Sequence, residues 1–247
     1  MRFLPTLTVC ACCALLTTAA LAGPDHSHHA PKEKAAAKQA TIAYTLNTCA
    51  VSGEALGSMG DAIVKVYEGR EVKFCCSMCV PKFEKDLKAS FKKLDEQIIK
   101  SQIAFYPTTE CLVSGEPLAG ADGMDTPIDF VYNGRLIRLC CRMCRGDFKD
   151  NPEKFIAKLD QAVIAQQSEH YPLTNCPISD QPLGSMGDAI NVVYAGRLVK
   201  FCCSMCIPRF EKDPMATIEK IDAAWTAMHK DSHNHTGHDG HSHDHGG

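Results

Sequence analysis

Three times along the chain, a short alternating apolar–polar run meets a two-residue turn and a second short run. A longer stretch with helical spacing follows each time. In the first copy, "AIVKVY" at 62–67 precedes Glu68-Gly69 and then "EVKF" at 71–74. A period of two predicts half-buried strands, and the turn between them predicts a β-hairpin. The corresponding turns are Asn133-Gly134 and Ala195-Gly196, and Asn-Gly favours the tight hairpin geometry most strongly. Beyond the first hairpin, Phe83, Leu87, Phe91, Leu94 and Ile98 recur at helical spacing. In the second and third copies, Asn151-Pro152 and Asp213-Pro214 have the form of a cap and a first-turn proline. They predict a short helix followed by a longer one.

These elements belong to a repeat. Residues 44–87, the stretch beginning "YPTTECLVSGEPLAG" at Tyr106 and the stretch beginning "YPLTNCPISDQPLGSMGD" at Tyr171 align without strain. Their first cysteines, Cys49, Cys111 and Cys176, give a period of 62 to 65 residues. The expected fold class is α+β, with three tandem units over residues 43–104, 105–169 and 170–228. Each has a loop cysteine, a β-hairpin and one or two α-helices. A unit this short buries a modest core and needs reinforcement.

The ends read differently. Residues 1–22 combine Arg2, an apolar run and Ala20-Leu21-Ala22, the pattern of a secretory signal peptide. A lipid anchor at Cys12 is the alternative. The expected location is periplasmic or secreted, with no membrane span after cleavage. Residues 23–42 read as a flexible linker bearing His26, His28 and His29. Residues 229–247 read as a disordered tail carrying His229, His233, His235, His238, His241, His243 and His245. A formal net charge of −3 argues against nucleic acid as a partner.

Cysteine changes the picture. The chain has 15, and once the leader is set aside the remaining twelve fall four to a unit with none left over. They are Cys49, Cys75, Cys76 and Cys79; Cys111, Cys140, Cys141 and Cys144; and Cys176, Cys202, Cys203 and Cys206. In each unit one cysteine lies in a loop and three lie between the second strand and the first helix. Either Cys76 or Cys75 can join Cys79 in aiming two sulfurs at one point, and the hairpin returns Cys49 to meet them. Three or four thiolates around one centre suit zinc or, with three, monovalent copper. A helix start also favours the thiolate.

The arrangement is similar to zinc ribbons and treble clefs, so the units are expected to be treble-clef-like. Ser52, Ser114 and Ser179 stand where those folds place a second loop cysteine. The spacing C-x25-C-x3-C in the first and third units, with "KFCCSMC" and then Phe83 or Phe210, resembles the TRASH and YHS domains. Those modules are associated with heavy-metal trafficking, resistance and sensing. The resemblance implies Cys49, Cys75 and Cys79 as ligands, and likewise Cys176, Cys202 and Cys206. The middle unit keeps Cys111, Cys140, Cys144 and Phe148. It has 28 residues between its first two cysteines, and Arg142 and Arg145 flank its cluster. Those arginines are expected to lower its thiol pKa values.

Met78, Met143 and Met205 each precede the last cysteine. Thioether sulfur suits monovalent copper, but methionine is a common gap-filler, and these three are expected to pack beside the helix. Met59 and Met186 are expected to anchor loops. The histidine-rich tail can present several imidazoles to one divalent ion. His170 is expected to be structural.

The leading reading is a non-enzymatic cell-envelope protein that binds zinc or copper for buffering, resistance or delivery. Its partners would be metal ions and an envelope transporter or efflux component. The alternative is a disulfide-stabilised secreted repeat protein acting as an interaction module. Its weakness is that adjacent cysteines bond to each other only with strain. A thioredoxin-like enzyme needs a larger βαβ arrangement than this period allows, and c-type haem needs a histidine that no cysteine pair has.

Overall fold

The computed structural model describes residues 41–118 and 126–234. The proposed signal peptide, the linker histidines and His235, His238, His241, His243 and His245 lie outside the described residues. The chain is a mixed α+β protein of three small hairpin-plus-helix units.

The first unit contains β1 (Ile63–Tyr67), β2 (Arg70–Phe74), α1 (Cys79–Glu84) and α2 (Leu87–Gln102). The second contains β3 (Ile128–Tyr132), β4 (Arg135–Leu139), α3 (Arg142–Asp150) and α4 (Pro152–Ser168). The third contains β5 (Ile190–Tyr194), β6 (Arg197–Phe201), α5 (Ile207–Phe210) and α6 (Pro214–Asn234). Each strand pair is a two-stranded antiparallel sheet, closed by Tyr67↔Arg70, Tyr132↔Arg135 and Tyr194↔Arg197. Both residues of each turn have positive φ, including Glu68, Asn133 and Ala195, the geometry that matches strand twist.

The break between short and long helix occurs in all three units, including the first, where no proline marks it. There the Asp86 side chain accepts from the Ala89 N–H at 3.0 Å and restarts the helix as an N-cap. Asn151 accepts from the Lys154 N–H in the same way. At the far end, α6 runs through Asn234. The sequence reading began a structureless tail at residue 229, but His229 and His233 fall on the backbone of this helix. The helix-forming run Ala223-Ala224-Trp225-Thr226-Ala227-Met228 leads directly into those residues. Among the described residues no helix is long and apolar enough to cross a membrane.

Each unit has its own core, centred on one phenylalanine. Phe83, Phe148 and Phe210 are all essentially inaccessible. Phe83 packs edge-on against Phe74 and Phe91, with ring centroids 5.5 and 5.4 Å away. Phe148 meets Phe130 and Tyr132, and Phe210 meets Tyr194 and Phe201. An ion pair repeats as well: Arg70–Asp95, Arg135–Asp160 and Arg197–Asp222 tie the start of each second strand to its long helix.

The units pack on one another through an amide that imitates a peptide. In the first unit, the Ile42 backbone bonds the hairpin turn: its N–H donates to Gly69 O, and its carbonyl accepts from the Glu71 N–H. Among the described residues no equivalent backbone segment bonds the second hairpin turn. Instead, Gln102 at the end of α2 donates from Nε2 to Gly134 O and accepts from the Leu136 N–H through Oε1, at 2.8 and 2.9 Å. Gln167, at the end of α4, repeats this with Gly196 O and the Leu198 N–H at 2.9 and 2.8 Å. A primary carboxamide offers the donor and acceptor of a peptide unit, so the turn polar groups stay satisfied.

The third unit closes back on the first. The Tyr194 hydroxyl donates to Tyr44 O at 3.3 Å, and Asn47 donates to Glu219 at 2.9 Å. Thr45 donates to Gly134 O at 3.2 Å, and a Cβ at Gly134 would meet the Thr45 methyl at 2.9 Å. Only glycine fits that turn.

Replacing Gln167 with leucine strands one backbone N–H and one carbonyl inside an inter-unit contact. Denaturant unfolding of the metal-free protein should show a loss of about 3 kcal/mol, at roughly 1–3 kcal/mol per unsatisfied group. The exposed neighbour variant Gln166→Leu should lie within about 0.5 kcal/mol of the parent.

Candidate metal centres

Why sulfurs from distant positions meet follows from local structure. In the loop of the first unit, the Cys49 N–H donates to Glu54 O and the Gly53 N–H donates to Cys49 O, at 2.7 and 3.0 Å. The Ala50 N–H then pins the loop to β2 through Lys73 O at 3.1 Å. Because Lys73 is two residues before Cys75, that bond sets Cys49 beside the end of the strand. The second unit repeats the pin from the Leu112 N–H to Arg138 O. In the third, Pro177 occupies the pinning position and has no N–H to donate. There the Lys220 ammonium donates to Pro177 O at 3.4 Å, as Lys158 donates to Leu112 O at 2.9 Å. Neither lysine prop has a local signature, because its partner is 43 or 46 residues away.

Three sulfurs converge in every unit. Cys49, Cys75 and Cys79; Cys111, Cys140 and Cys144; and Cys176, Cys202 and Cys206 each place their Sγ atoms within 4.8 Å of one another. The first of each vicinal pair therefore joins the trio, which the spacing had left open. Two of the trios are wholly buried, and in the third Cys140 is partly exposed. The second of each pair stands at the rim. Cys76, Cys141 and Cys203 are half-buried, and their sulfurs lie 3.8 Å from Cys79, 3.6 Å from Cys144 and 3.9 Å from Cys202. Among the described residues none of the twelve cysteines is in a disulfide.

The donor set fits a soft or borderline ion. With zinc–sulfur bonds of about 2.3 Å, sulfurs around one ion stand about 3.8 Å apart in a tetrahedron and about 4.0 Å in a trigonal plane. The separations Cys75–Cys79 (3.9 Å), Cys140–Cys144 (3.7 Å), Cys176–Cys206 (3.7 Å) and Cys202–Cys206 (3.9 Å) lie at that spacing. One ion can bridge them with little side-chain movement.

A serine hydroxyl flanks each trio on its loop side; Ser52 and Ser114 are exposed and Ser179 is half-buried. The hydroxyls of Ser52, Ser114 and Ser179 sit 3.4, 3.4 and 3.2 Å from the sulfurs of Cys75, Cys140 and Cys202. Sequence reasoning saw them as missing cysteines, whereas here they are hydrogen-bonding partners of the sulfur cluster.

Protonation is divided unevenly. Burial pushes the Cys49 thiol up, but the Ser52 hydroxyl and the N–H groups of Ser52, Cys75 and Val51 outweigh it and bring the pKa to about 6. Burial against the Ser114 and Ser179 hydroxyls and nearby N–H groups gives the same value of about 6 for Cys111 and Cys176. At the helix base the balance reverses. Burial, then neighbouring thiols, carry Cys79 and Cys144 to about 12. Cys206 also reaches about 12, through burial and its contacts with Cys176 and Cys202 against the pull of Ser179. The rim thiols are lowered, Cys76 chiefly by contact with Cys79, Cys141 by the Cys144 N–H and Cys203 by the Met205 N–H. Each metal-free cluster thus has an anionic loop sulfur and a protonated one on the helix.

Two expectations are overturned. The arginines around the middle cluster do not set its thiols: Arg145 lies over the Phe130 ring, 4.9 Å from its centroid, and Cys140 is raised. Ser114 pulls Cys140 down, but burial and contacts with Cys111 and Cys141 outweigh it. The methionines are not core fillers either. Met78, Met143 and Met205 are 67%, 80% and 71% exposed, on the chain's way from the second strand into the first helix or, for Met143, in that helix's first turn. Met59 and Met186 are exposed too, not anchored, and so is His170.

No protein-family model, curated protein sequence or solved structure gives a significant match to this chain.

The loop thiols make apo-protein stability depend on pH. Their folded pKa lies below the unfolded value of about 8.5, so stability rises with pH above about 6 and is lost as pH falls through that value. The helix-base thiols, raised to about 12, act with the opposite sign only above the unfolded value. Thiolate ultraviolet absorption of metal-free protein should fade with a midpoint near pH 6. Changing Cys49, Cys111 and Cys176 together to serine should abolish that component.

Proposed function

We propose that this chain is a metal-binding protein of the cell envelope, holding copper or zinc as cargo in its three cysteine trios. The observation that carries this reading is the convergence, in each unit, of three sulfurs within 4.8 Å around a point held by an independent core. Sulfurs drawn from a loop, a strand end and a helix base onto one point form a ready ligand set, and thiolate donors select soft and borderline ions. The triplication argues for capacity or hand-over, since one site would suffice to staple one fold.

On this reading the units are treble-clef-like modules of the TRASH or YHS kind. The loop cysteine and the helix-base cysteines supply the ligands, and the hairpin joins them. Residues 1–22 direct export, and the ion passes to or from an envelope transporter or efflux component. The role is binding and transfer rather than catalysis. The histidines of residues 229–247 gather divalent ions with modest selectivity and present them to the tighter sites.

Replacing Cys79, Cys144 and Cys206 with serine, with the C-terminal histidines intact, should abolish tight binding as read by native mass spectrometry of protein isolated from the envelope. Unchanged metal stoichiometry would refute the reading. Wild-type material that carries no metal, with its twelve thiols paired as disulfides, would instead support the stapled interaction module. Deleting residues 235–247 should remove only weaker binding that fails below about pH 6.5, where imidazole takes up a proton.

A further inference from the structure

Six of the seven methionines among the described residues are exposed: Met59, Met78, Met143, Met186, Met205 and Met228. They also make up most of the large apolar side chains that the fold leaves in solvent. That reverses the ordinary behaviour of a residue whose flexible thioether usually fills core gaps. Three of the six occupy one repeated position, immediately before the helix-base cysteine, and these are the most exposed of all, at 67–80%.

Their surroundings repeat too. In the first unit the Cys79 N–H bonds to Cys76 O at 3.2 Å, so Cys76-Ser77-Met78-Cys79 is a tight turn with a thiol at each end. The third unit closes the same turn from the Cys206 N–H to Cys203 O at 3.3 Å. The middle unit places Met143 at the same register in the first turn of α3. In all three the methionine N–H is directed at the rim sulfur of Cys76, Cys141 or Cys203. Each trio thus has beside it one half-buried thiol and, one residue before its helix-base cysteine, one exposed methionine. The rim thiol touches the trio: Cys76 is 3.8 Å from Cys79, Cys141 is 3.6 Å from Cys144, and Cys203 is 3.9 Å from Cys202.

We infer that these rims, Cys76 with Met78, Cys141 with Met143 and Cys203 with Met205, are transfer ports for a soft monovalent ion of the Cu(I) class. The inference rests on the metal-binding reading above and narrows it. Thioether sulfur is a poor partner for zinc and a good one for monovalent copper. A zinc site would gain nothing from three solvent-facing methionines. An arriving ion first meets the thioether and the rim sulfur, then moves inward as trio sulfurs replace them. It enters and leaves monovalent, so no electron is transferred. Each thiol that becomes a ligand releases its proton to water, and each that lets go takes one back. Leaving reverses the order, with an acceptor's ligand displacing the outer sulfur first.

The test uses the full chain with Met78, Met143 and Met205 all changed to leucine. Leucine matches methionine in size and removes only the sulfur, and the exposed positions leave the cores untouched. Exchange of Cu(I) with a bicinchoninate chelator and of zinc with a chromogenic zinc chelator is followed by stopped flow. The expected result is Cu(I) exchange slowed about tenfold, the scale of one lost weak contact, with zinc exchange at the wild-type rate. Changing Met59 and Met186 to leucine should leave both rates alone. Equal slowing of both ions, or no slowing of Cu(I), overturns the port. Wild-type protein that takes up neither ion overturns the metal-binding reading itself. Cu(I) uptake with an insensitive rate overturns the port alone.

Discussion

The constraint on which the sites depend is the burial of one aromatic ring per unit. Cys79 and Phe83 lie four residues apart, as do Cys144 and Phe148, and Cys206 and Phe210. Where the backbone between them is helical, that spacing puts both side chains on one face. Phe83 is seated between the hairpin and the long helix, against Phe74 and Phe91. Burying an aromatic side chain of this size is worth roughly 3 kcal/mol, far more than any single thiol contact in the cluster. Once the ring is seated, the helix cannot rotate, and the cysteine one turn earlier must face inward. The metal-free protein therefore does not need an ion to gather its sulfurs. It is preorganised by a contact that contains no sulfur at all.

Preorganisation of one unit would be fragile at about 60 residues, and the units solve this by docking. What each long helix gives its successor is a single carboxamide, from Gln102 or Gln167, bonded as a backbone strand would bond. At the first hairpin the Ile42 backbone fills the same two positions. The position in the third unit equivalent to Gln102 and Gln167, seven residues past the paired aspartate Asp222, is His229. The histidine-rich stretch thus starts at the position where the first two units carry the docking amide.

The hairpins, the turn positions, the helices and the three-fold repeat were legible because each has a local signature: period two, Asn-Gly or its equivalent, and a cap followed by proline. From spacing alone the trios were legible only as sets of four, while the family resemblance pointed to the same three cysteines in each unit. Which of two adjacent cysteines turns inward depends on how the strand meets the helix, and periodicity does not report on that junction. The break at Asp86 escaped because the capping residue lacks a proline partner. The glutamine relay escaped because its partners are 32 and 34 residues away, or 29 and 31, and a glutamine at a helix end looks like any polar surface residue. The methionines misled for a definite reason. Composition treats them as apolar, but a residue squeezed into a tight turn between two thiols has no core within reach.

The exchange of serine and cysteine is the most telling departure from a closed structural site. A second loop cysteine would place four sulfurs inside the unit, the arrangement of permanent structural zinc. Here the loop position holds a hydroxyl, 3.2–3.4 Å from a trio sulfur, and the fourth sulfur stands half-buried on the strand-to-helix side. A hydroxyl donates a hydrogen bond where a fourth thiolate would add charge, so the buried cluster carries less charge against its desolvation cost. The displaced sulfur remains in contact with the trio and open to solvent. Affinity is then set by the three converging sulfurs and access by one half-buried sulfur beside them. That separation allows an ion to be held tightly while keeping a path by which another ligand can reach it.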